Sequence, residues 1–200
     1  MKRIFLLLSI LFISVLSTAC VNNLAIQELN NKAQEYMNKG DTDAAICRLE
    51  ASLDLDDNVF ETRYNLGIAY LNAKNYENAK EMLGKAVELK PDYADTYYSL
   101  AVATDEMNYL VIDKIKNPEN YIEEGETPVI TEETTTVKEP EKKKLSDEEK
   151  ELITQKVNES IEAYNKYLEK NPNAQEKSSI ESRINSLNSE LNFDEEPAVQ

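Results

Sequence analysis

The side chains that most often carry chemistry are scarce in this chain. It has no His and only two Cys, Cys20 and Cys47. Without His there is no imidazole to activate a Ser or Cys nucleophile and no imidazole metal ligand. Two thiols cannot build a four-thiolate zinc site or a dense disulfide framework. Asp54-x-Asp56-x-Asn58 begins like a calcium loop, but Val59 stands where the sharp turn needs Gly, and Asn65 stands where a bidentate Glu is needed. That segment reads as a solvated helix end. Carboxylates abound, 38 Asp and Glu against 22 Lys and Arg for a formal charge of −16, so chance pairs are expected and none stands out as an acid–base couple. Lys142 to Lys144 reads as a solvated basic run. An acidic surface repels phosphates, which argues against nucleic-acid partners. The expectation is a chain with no catalytic residues, no metal, no cofactor and no small-molecule substrate.

One thiol has surroundings that give it a use. Lys2 and Arg3 precede an apolar run from Ile4 to Leu16, broken only by Ser9 and Ser14. The run is too short for a membrane-crossing helix of about 20 residues, and reads as a signal peptide over 1–19. Its end, Leu16-Ser17-Thr18-Ala19-Cys20, resembles the bacterial lipobox, although Ser17 stands where that motif usually has Leu. The resemblance implies lipid attachment at Cys20, with several acyl chains each contributing ~0.8 kcal/mol per buried CH₂. It also implies a place in the bacterial cell envelope, at the periplasmic or extracellular face of the outer or cytoplasmic membrane. Ordinary cleavage after Ala19 is the alternative, because Ser17 and Ala19 also make a small-x-small site. Cys47 is expected to be a small buried helix residue.

The elements that position everything else come from an internal repeat. A shift of 34 residues aligns Tyr36 with Tyr70, Ala33 with Gly67 and Ala101, Asn31 with Asn65 and Ser99, and Tyr64 with Tyr98. Further along, Ala45 meets Ala79, Leu49 meets Leu83 and Leu55 meets Leu89. Each unit holds two helix-period stretches joined by a short turn, Gly40-Asp41 in the first and Lys74-Asn75 in the second. The run Tyr64-Asn65-Leu66-Gly67-Ile68-Ala69-Tyr70, followed by Tyr76, Ala79, Ala86 and Pro91, resembles the tetratricopeptide repeat (TPR) family. Units are placed at 26–59 and 60–93, with a third starting at Ala94. The first unit departs from the pattern with Lys32 opposite Leu66 and Asp57 opposite Pro91. Small residues at 33, 67 and 101 are expected to let paired helices approach closely.

The third unit reads as split. Its first helix is expected to end by 110. The stretch from Glu119 to Pro140 has seven Glu, five Thr and one Lys, a composition that cannot bury enough apolar surface to order itself. A disordered acidic insertion is therefore expected over 111–145. Ser146 and Glu149 have capping-box spacing, and Ile153, Val157, Ile161, Tyr164 and Leu168 share one helical face. That predicts the second helix of the unit over 146–172. A capping helix with Ile180, Ile184, Leu187 and Leu191 on one stripe follows over 173–192, then a tail over 193–200. The predicted fold is all-α: residues 20–25 as tether, a short TPR superhelix of about three repeats beginning at 26, and a C-terminal capping helix.

In TPR proteins the first helices of successive repeats line a concave surface that binds peptide segments. Carried onto this chain, the lining is Gln27, Asn30, Gln34 and Met37 from the first unit. The second gives Glu61, Tyr64, Ile68 and Leu71, and the third Asp95, Tyr98, Val102 and Asp105. Members that clamp a C-terminal carboxylate use Lys, Arg and Asn, and this lining has no Lys or Arg. Tyr64 and Tyr98 offer large contact area at low entropy cost, with packing between helices as their other use. The second unit is charge-balanced and its flanks are acidic, which would steer in a basic or apolar-basic partner. The expected function is a membrane-tethered, non-catalytic protein–protein adaptor, its partner another protein or peptide segment. A self-associating envelope protein, joined through the split repeat or the terminal helix, is the alternative.

Overall fold

The computed structural model of the chain describes residues 22–121 and 144–193. The expected signal peptide, Cys20, most of the acidic insertion and the tail beyond 193 lie outside the described residues. Every regular element among the described residues is helical. Helix α1 covers 22–38. It is followed by α2 (Thr42–Leu55), α3 (Phe60–Asn72), α4 (Tyr76–Leu89), α5 (Ala94–Lys116), a 3₁₀ turn (Pro118–Tyr121), α6 (Asp147–Lys170) and α7 (Lys177–Ser189). None of these helices is long and apolar enough to cross a membrane. The chain falls into two compact units, Met1–Ala103 and Thr104–Gln200.

In the first unit the two helical hairpins close in the same way. The Gly40 N–H donates to Met37 O (3.0 Å) and the Asp41 N–H to Tyr36 O (2.9 Å). In the next repeat the Lys74 N–H donates to Leu71 O (3.0 Å) and the Asn75 N–H to Tyr70 O (2.9 Å). Both are helix stops that need one left-handed residue. Gly40 takes φ 77°, and Lys74 takes φ 57° despite its side chain. The next residue then caps the following helix: the Asp41 carboxylate accepts from Ala44 N at 3.1 Å, and the Asn75 amide oxygen from Asn78 N at 3.3 Å.

The helices meet over small residues. Ala33, Ala45, Leu49, Leu66 and Ala69 form one buried cluster, with Tyr36 and Met37 packed on it. Ala79, Leu83 and Ala103 form another, under Tyr64, Tyr70, Leu71 and Leu100. A Cβ at Gly67 would lie 2.5 Å from Leu83 Cγ, so α3 and α4 approach only because that side chain is missing. A polar node ties α1, α2 and α3 together. Asn30 Nδ2 donates to Ser52 Oγ (3.1 Å) and Thr62 Oγ1 (2.8 Å), those two hydroxyls lie 3.0 Å apart, and Asn65 Nδ2 donates to Asn30 Oδ1 at 3.1 Å.

Cys47 departs from expectation. It is exposed, because α2 buries Ala45, Leu49 and Ser52, and residue 47 lies on the opposite side of that stripe.

The second unit holds the end of α5, the 3₁₀ turn, α6 and α7. Helix α5 continues to Lys116, past the expected limit at 110. Ile112 is buried and keeps the apolar period going, Lys116 pairs with Glu190, and Asn117-Pro118 then ends the helix. Beyond it, the Tyr121 hydroxyl donates to Asp113 at 2.7 Å. That bond, then one from Asn117, holds the Asp113 carboxyl below its usual range. The capping box of α6 forms in both directions: the Ser146 N–H donates to Glu149 Oε2 (2.9 Å), and the Glu149 N–H to Ser146 Oγ (3.2 Å). Its buried face is Ile153, Val157, Ser160, Tyr164 and Tyr167, while α7 buries Ile180 and Leu187. Asn108, 1% exposed, donates through Nδ2 to Lys156 O (3.0 Å) and Ser160 Oγ (3.2 Å).

Candidate functional site

The first helices of repeats one and two, α1 and α3, flank an open cleft of about 1090 Å³. Along α1 it is lined by Asn22, Asn23, Ile26, Gln27, Asn30, Asn31 and Gln34, and along α3 by Phe60, Glu61 and Asn65. Leu55 at the end of α2 and Asp56, Asn58 and Val59 of the turn between α2 and α3 complete the lining. The lining is dominated by amides, with two carboxylates and no Lys or Arg. An amide carries both donor and acceptor, so it can pair with a peptide N–H or C=O without a net charge. Asp56 and Asn58 shape the turn itself. The Asn58 N–H donates to Asp56 Oδ1 at 2.9 Å, and the Asn58 amide donates to Asp57 Oδ1 at 2.6 Å.

Four of the twelve expected lining residues meet in this cleft: Gln27, Asn30, Gln34 and Glu61. Gln27 and Gln34 are exposed, each donating to an Asn on its own helix, Asn23 (3.2 Å) and Asn38 (3.1 Å). Asn30 reaches the cleft wall, but its amide is engaged in the polar node behind it. Met37 and Leu71 pack on the two core clusters. Ile68 and Val102 are half-buried, Asp95 is exposed and Tyr98 is 37% exposed.

Tyr64 has its face covered by other rings. Phe60 stacks beside it at 5.9 Å with 16° between planes, and Tyr93 meets it edge-on at 5.6 Å. Tyr93 also meets Phe60 at 5.3 Å and 76°. Lys90 Nζ lies over both of those rings, 4.9 Å from the Phe60 centroid and 5.1 Å from that of Tyr93. Burial first, then the neighbouring Asp95 carboxylate, raises the Tyr93 hydroxyl above its ordinary pKa.

Asp105 is a correction. It is 5% exposed in the second unit and is not part of the lining of the α1–α3 cleft. Arg183 of α7 holds it with two bonds, Nε to Oδ2 (2.8 Å) and Nη2 to Oδ1 (3.0 Å), and the Tyr164 hydroxyl of α6 donates to Oδ2 at 3.0 Å. A carboxylate on the inner side of α5 needs such partners once helices pack on it. The same contact raises the Arg183 guanidinium, chiefly through the Asp105 bond.

Sequence reasoning missed the amides at 22, 23, 31 and 65 and the Phe60–Tyr93–Lys90 corner. Asn31 and Asn65 were legible as a pair by their 34-residue spacing. The corner had no such sign, because the first repeat puts Ile26, Val59 and Asp56 at the matching positions.

Comparison with known proteins agrees with the helical-repeat fold. Residues 60–93 match the family model of the tetratricopeptide repeat. No curated protein matches the chain. Among solved structures it is similar to the first TPR domain of Spaghetti (RPAP3) bound to the HSP90 peptide SRMEEVD, at 18% identity and TM-score 0.55, covering 84% of this chain and 94% of that one. The second TPR domain of human RPAP3, in complex with the HSP70 peptide SGPTIEEVD, matches at 13% identity and TM-score 0.55, covering 82% and 98%. The TPR domain of Sgt2 from Aspergillus fumigatus matches at 14% and 0.53, covering 88% and 87%. These likenesses, with the repeat at 60–93, establish the fold as a short TPR-type α-solenoid with a terminal helix.

Proposed function

We propose that the chain is a non-catalytic adaptor that holds a peptide or protein segment in the cleft between α1 and α3. The carrying observation is the cleft's lining, rich in amides, edged by Asp56 and Glu61 and free of Lys and Arg. Similar domains supply a precedent, since two of them are seen with HSP90 and HSP70 peptides. Those peptides, SRMEEVD and SGPTIEEVD, are acidic at their C-terminal ends. A lining with carboxylates and no cation suits the opposite charge, so the partner segment here is basic or apolar-basic. We further propose that Cys20 carries lipid and tethers the adaptor to a bacterial envelope membrane, where it serves assembly of other envelope proteins. The lipobox-like run ending at Cys20 supports that part.

Photo-crosslinking from Gln27 and Gln34, both exposed on the cleft wall, tests the adaptor reading in native membranes. A discrete partner is expected, and Glu61→Arg is expected to abolish its capture. Capture that survives Glu61→Arg, or crosslinks that form only from positions outside the cleft, would overturn it. Incorporation of labelled palmitate, lost in Cys20→Ser, tests the tether. Equal labelling of both proteins would refute it.

A further inference from the structure

The corner formed by Phe60 and Tyr93 already binds a cation, and the cation is the chain's own. We propose that this corner is the receptor for an Arg or Lys side chain of the partner's basic segment, and that Lys90 is an internal competitor which the partner displaces. The inference rests on the adaptor reading and names what the partner must carry.

The two rings stand 5.3 Å apart at 76°, so their faces make the two walls of an angle. Lys90 Nζ sits in that angle, close to both centroids at 4.9 and 5.1 Å. Tyr64 packs against both rings, at 5.9 and 5.6 Å, and fixes them in place. A site that is rigid before the ligand arrives loses little entropy on binding. Its occupant is the mobile part. Lys90 is exposed, caps the C-terminus of α4, and makes no ion pair with a carboxylate among the described residues. Lifting its flexible stem off the rings therefore breaks its two cation–π contacts and leaves no carboxylate unpaired.

Stacking of the repeats does not demand this arrangement. The first repeat fills the Phe60 and Tyr93 positions with Ile26 and Val59, and the Lys90 position with Asp56. The surroundings suit an incoming cation. Glu61 follows Phe60, and Asp92 and Asp95 flank Tyr93. Phe60 and Glu61 also line the cleft, so a segment lying along the amides of α1 can place a basic side chain in the corner. Arg should be favoured over Lys, because a planar, weakly hydrated guanidinium stacks on a ring face while an ammonium does not.

The full-length chain can be tested by fluorescence anisotropy with a labelled peptide of three Gly-Ser-Arg triplets. The same peptide with citrulline in place of Arg keeps the shape and loses the charge. Lys90→Gln opens the corner, and Lys74→Gln removes the same charge at the distant turn. The Arg peptide is expected to bind Lys90→Gln about tenfold tighter than Lys74→Gln, with the citrulline peptide showing no such gain. Phe60→Leu combined with Tyr93→Leu should erase the difference. Equal affinity of the two Gln variants, an equal gain for citrulline, or no binding of the Arg peptide would overturn the proposal. If those results came with partner crosslinks still forming from Gln27 and Gln34, the corner would be refuted and the cleft retained. Loss of those crosslinks in unmodified protein would instead remove the cleft.

Discussion

Repeats one and two, residues 26–59 and 60–93, wrap nearly the same backbone around different side chains, and the differences show what each joint relies on. The turn of the first is Gly40 and of the second Lys74, both left-handed. The close approach in the first hairpin is made by Ala33, and in the second by Gly67 against Leu83. The seam from repeat one to repeat two is polar, with Thr62 bonded to Asn30 and Ser52. One repeat later, Thr96 takes the place of Thr62, but Tyr64 and Ala86 replace Asn30 and Ser52. Thr96 Oγ1 is buried and finds no hydrogen-bond partner among the described residues. The scaffold therefore keeps its geometry while exchanging hydrogen bonds for apolar and aromatic contact.

The largest expected break in this comparison is at the helix approach. Gly67→Ala puts a Cβ 2.5 Å from Leu83 Cγ. It should cost about 1–3 kcal/mol by overpacking, although Ala is the better helix former. Urea unfolding would read it, and a stabilised Gly67→Ala would show that the approach is looser than described.

The two threonines should respond with opposite signs. Thr62→Val leaves the amide of Asn30 and the hydroxyl of Ser52 short of a partner and should destabilise by about 1–2 kcal/mol. Thr96→Val removes a hydroxyl that has no partner among the described residues and should be neutral or stabilising by up to about 1 kcal/mol. Equal losses at both positions would erase the distinction between the seams.

The turns come next. Lys74→Gly relieves a left-handed non-glycine residue, offset by the added freedom of the unfolded chain, for a net gain of about 0.5–1 kcal/mol. Gly40→Ala should lose a similar amount. Thermal melts of the pair sharpen the comparison if the signs are opposite.

The smallest effect concerns pH. The Tyr70 hydroxyl donates to Glu50 at 2.7 Å. Burial first, then that bond, pushes its pKa from 10.0 to about 12. The folded state favours the protonated hydroxyl, and the unfolded chain releases the proton sooner. The contribution is complete below about pH 10 and is lost as pH rises through about 12. Tyr93 and Tyr121 act in the same direction. Tyr70→Phe should make stability less steep over that window, measured by denaturant midpoints against pH.

Much of the scaffold was legible from residue order. The 34-residue register placed both hairpins, and Ser146 with Glu149 announced the start of α6. These features depend on neighbours a few residues apart, where period and capping chemistry decide. The candidate site was less legible. Gln27, Gln34 and Glu61 line the cleft between α1 and α3, while Tyr64, Met37 and Leu71 pack elsewhere. Asn30 was counted as lining, yet its amide is drawn into a node with residues from two other helices. Cys47 looked like core and points outward, because a single small residue in a helix says little about which stripe is buried.

What the sequence determined by itself is the all-helical class, the two helical hairpins in 34-residue register and the acidic composition of the chain. All of these follow from short-range periodicity and composition. The tertiary structure alone decided which distant groups arrive at one place. Asp105 meets Arg183 and Tyr164 across 78 and 59 residues of chain. Lys90 settles on Phe60 and Tyr93, and Thr62 finds Asn30 while Thr96 finds no partner among the described residues. A helix's own period sets which of its faces turns inward. The side chain waiting on the other side of that face belongs to another segment, and only packing selects it.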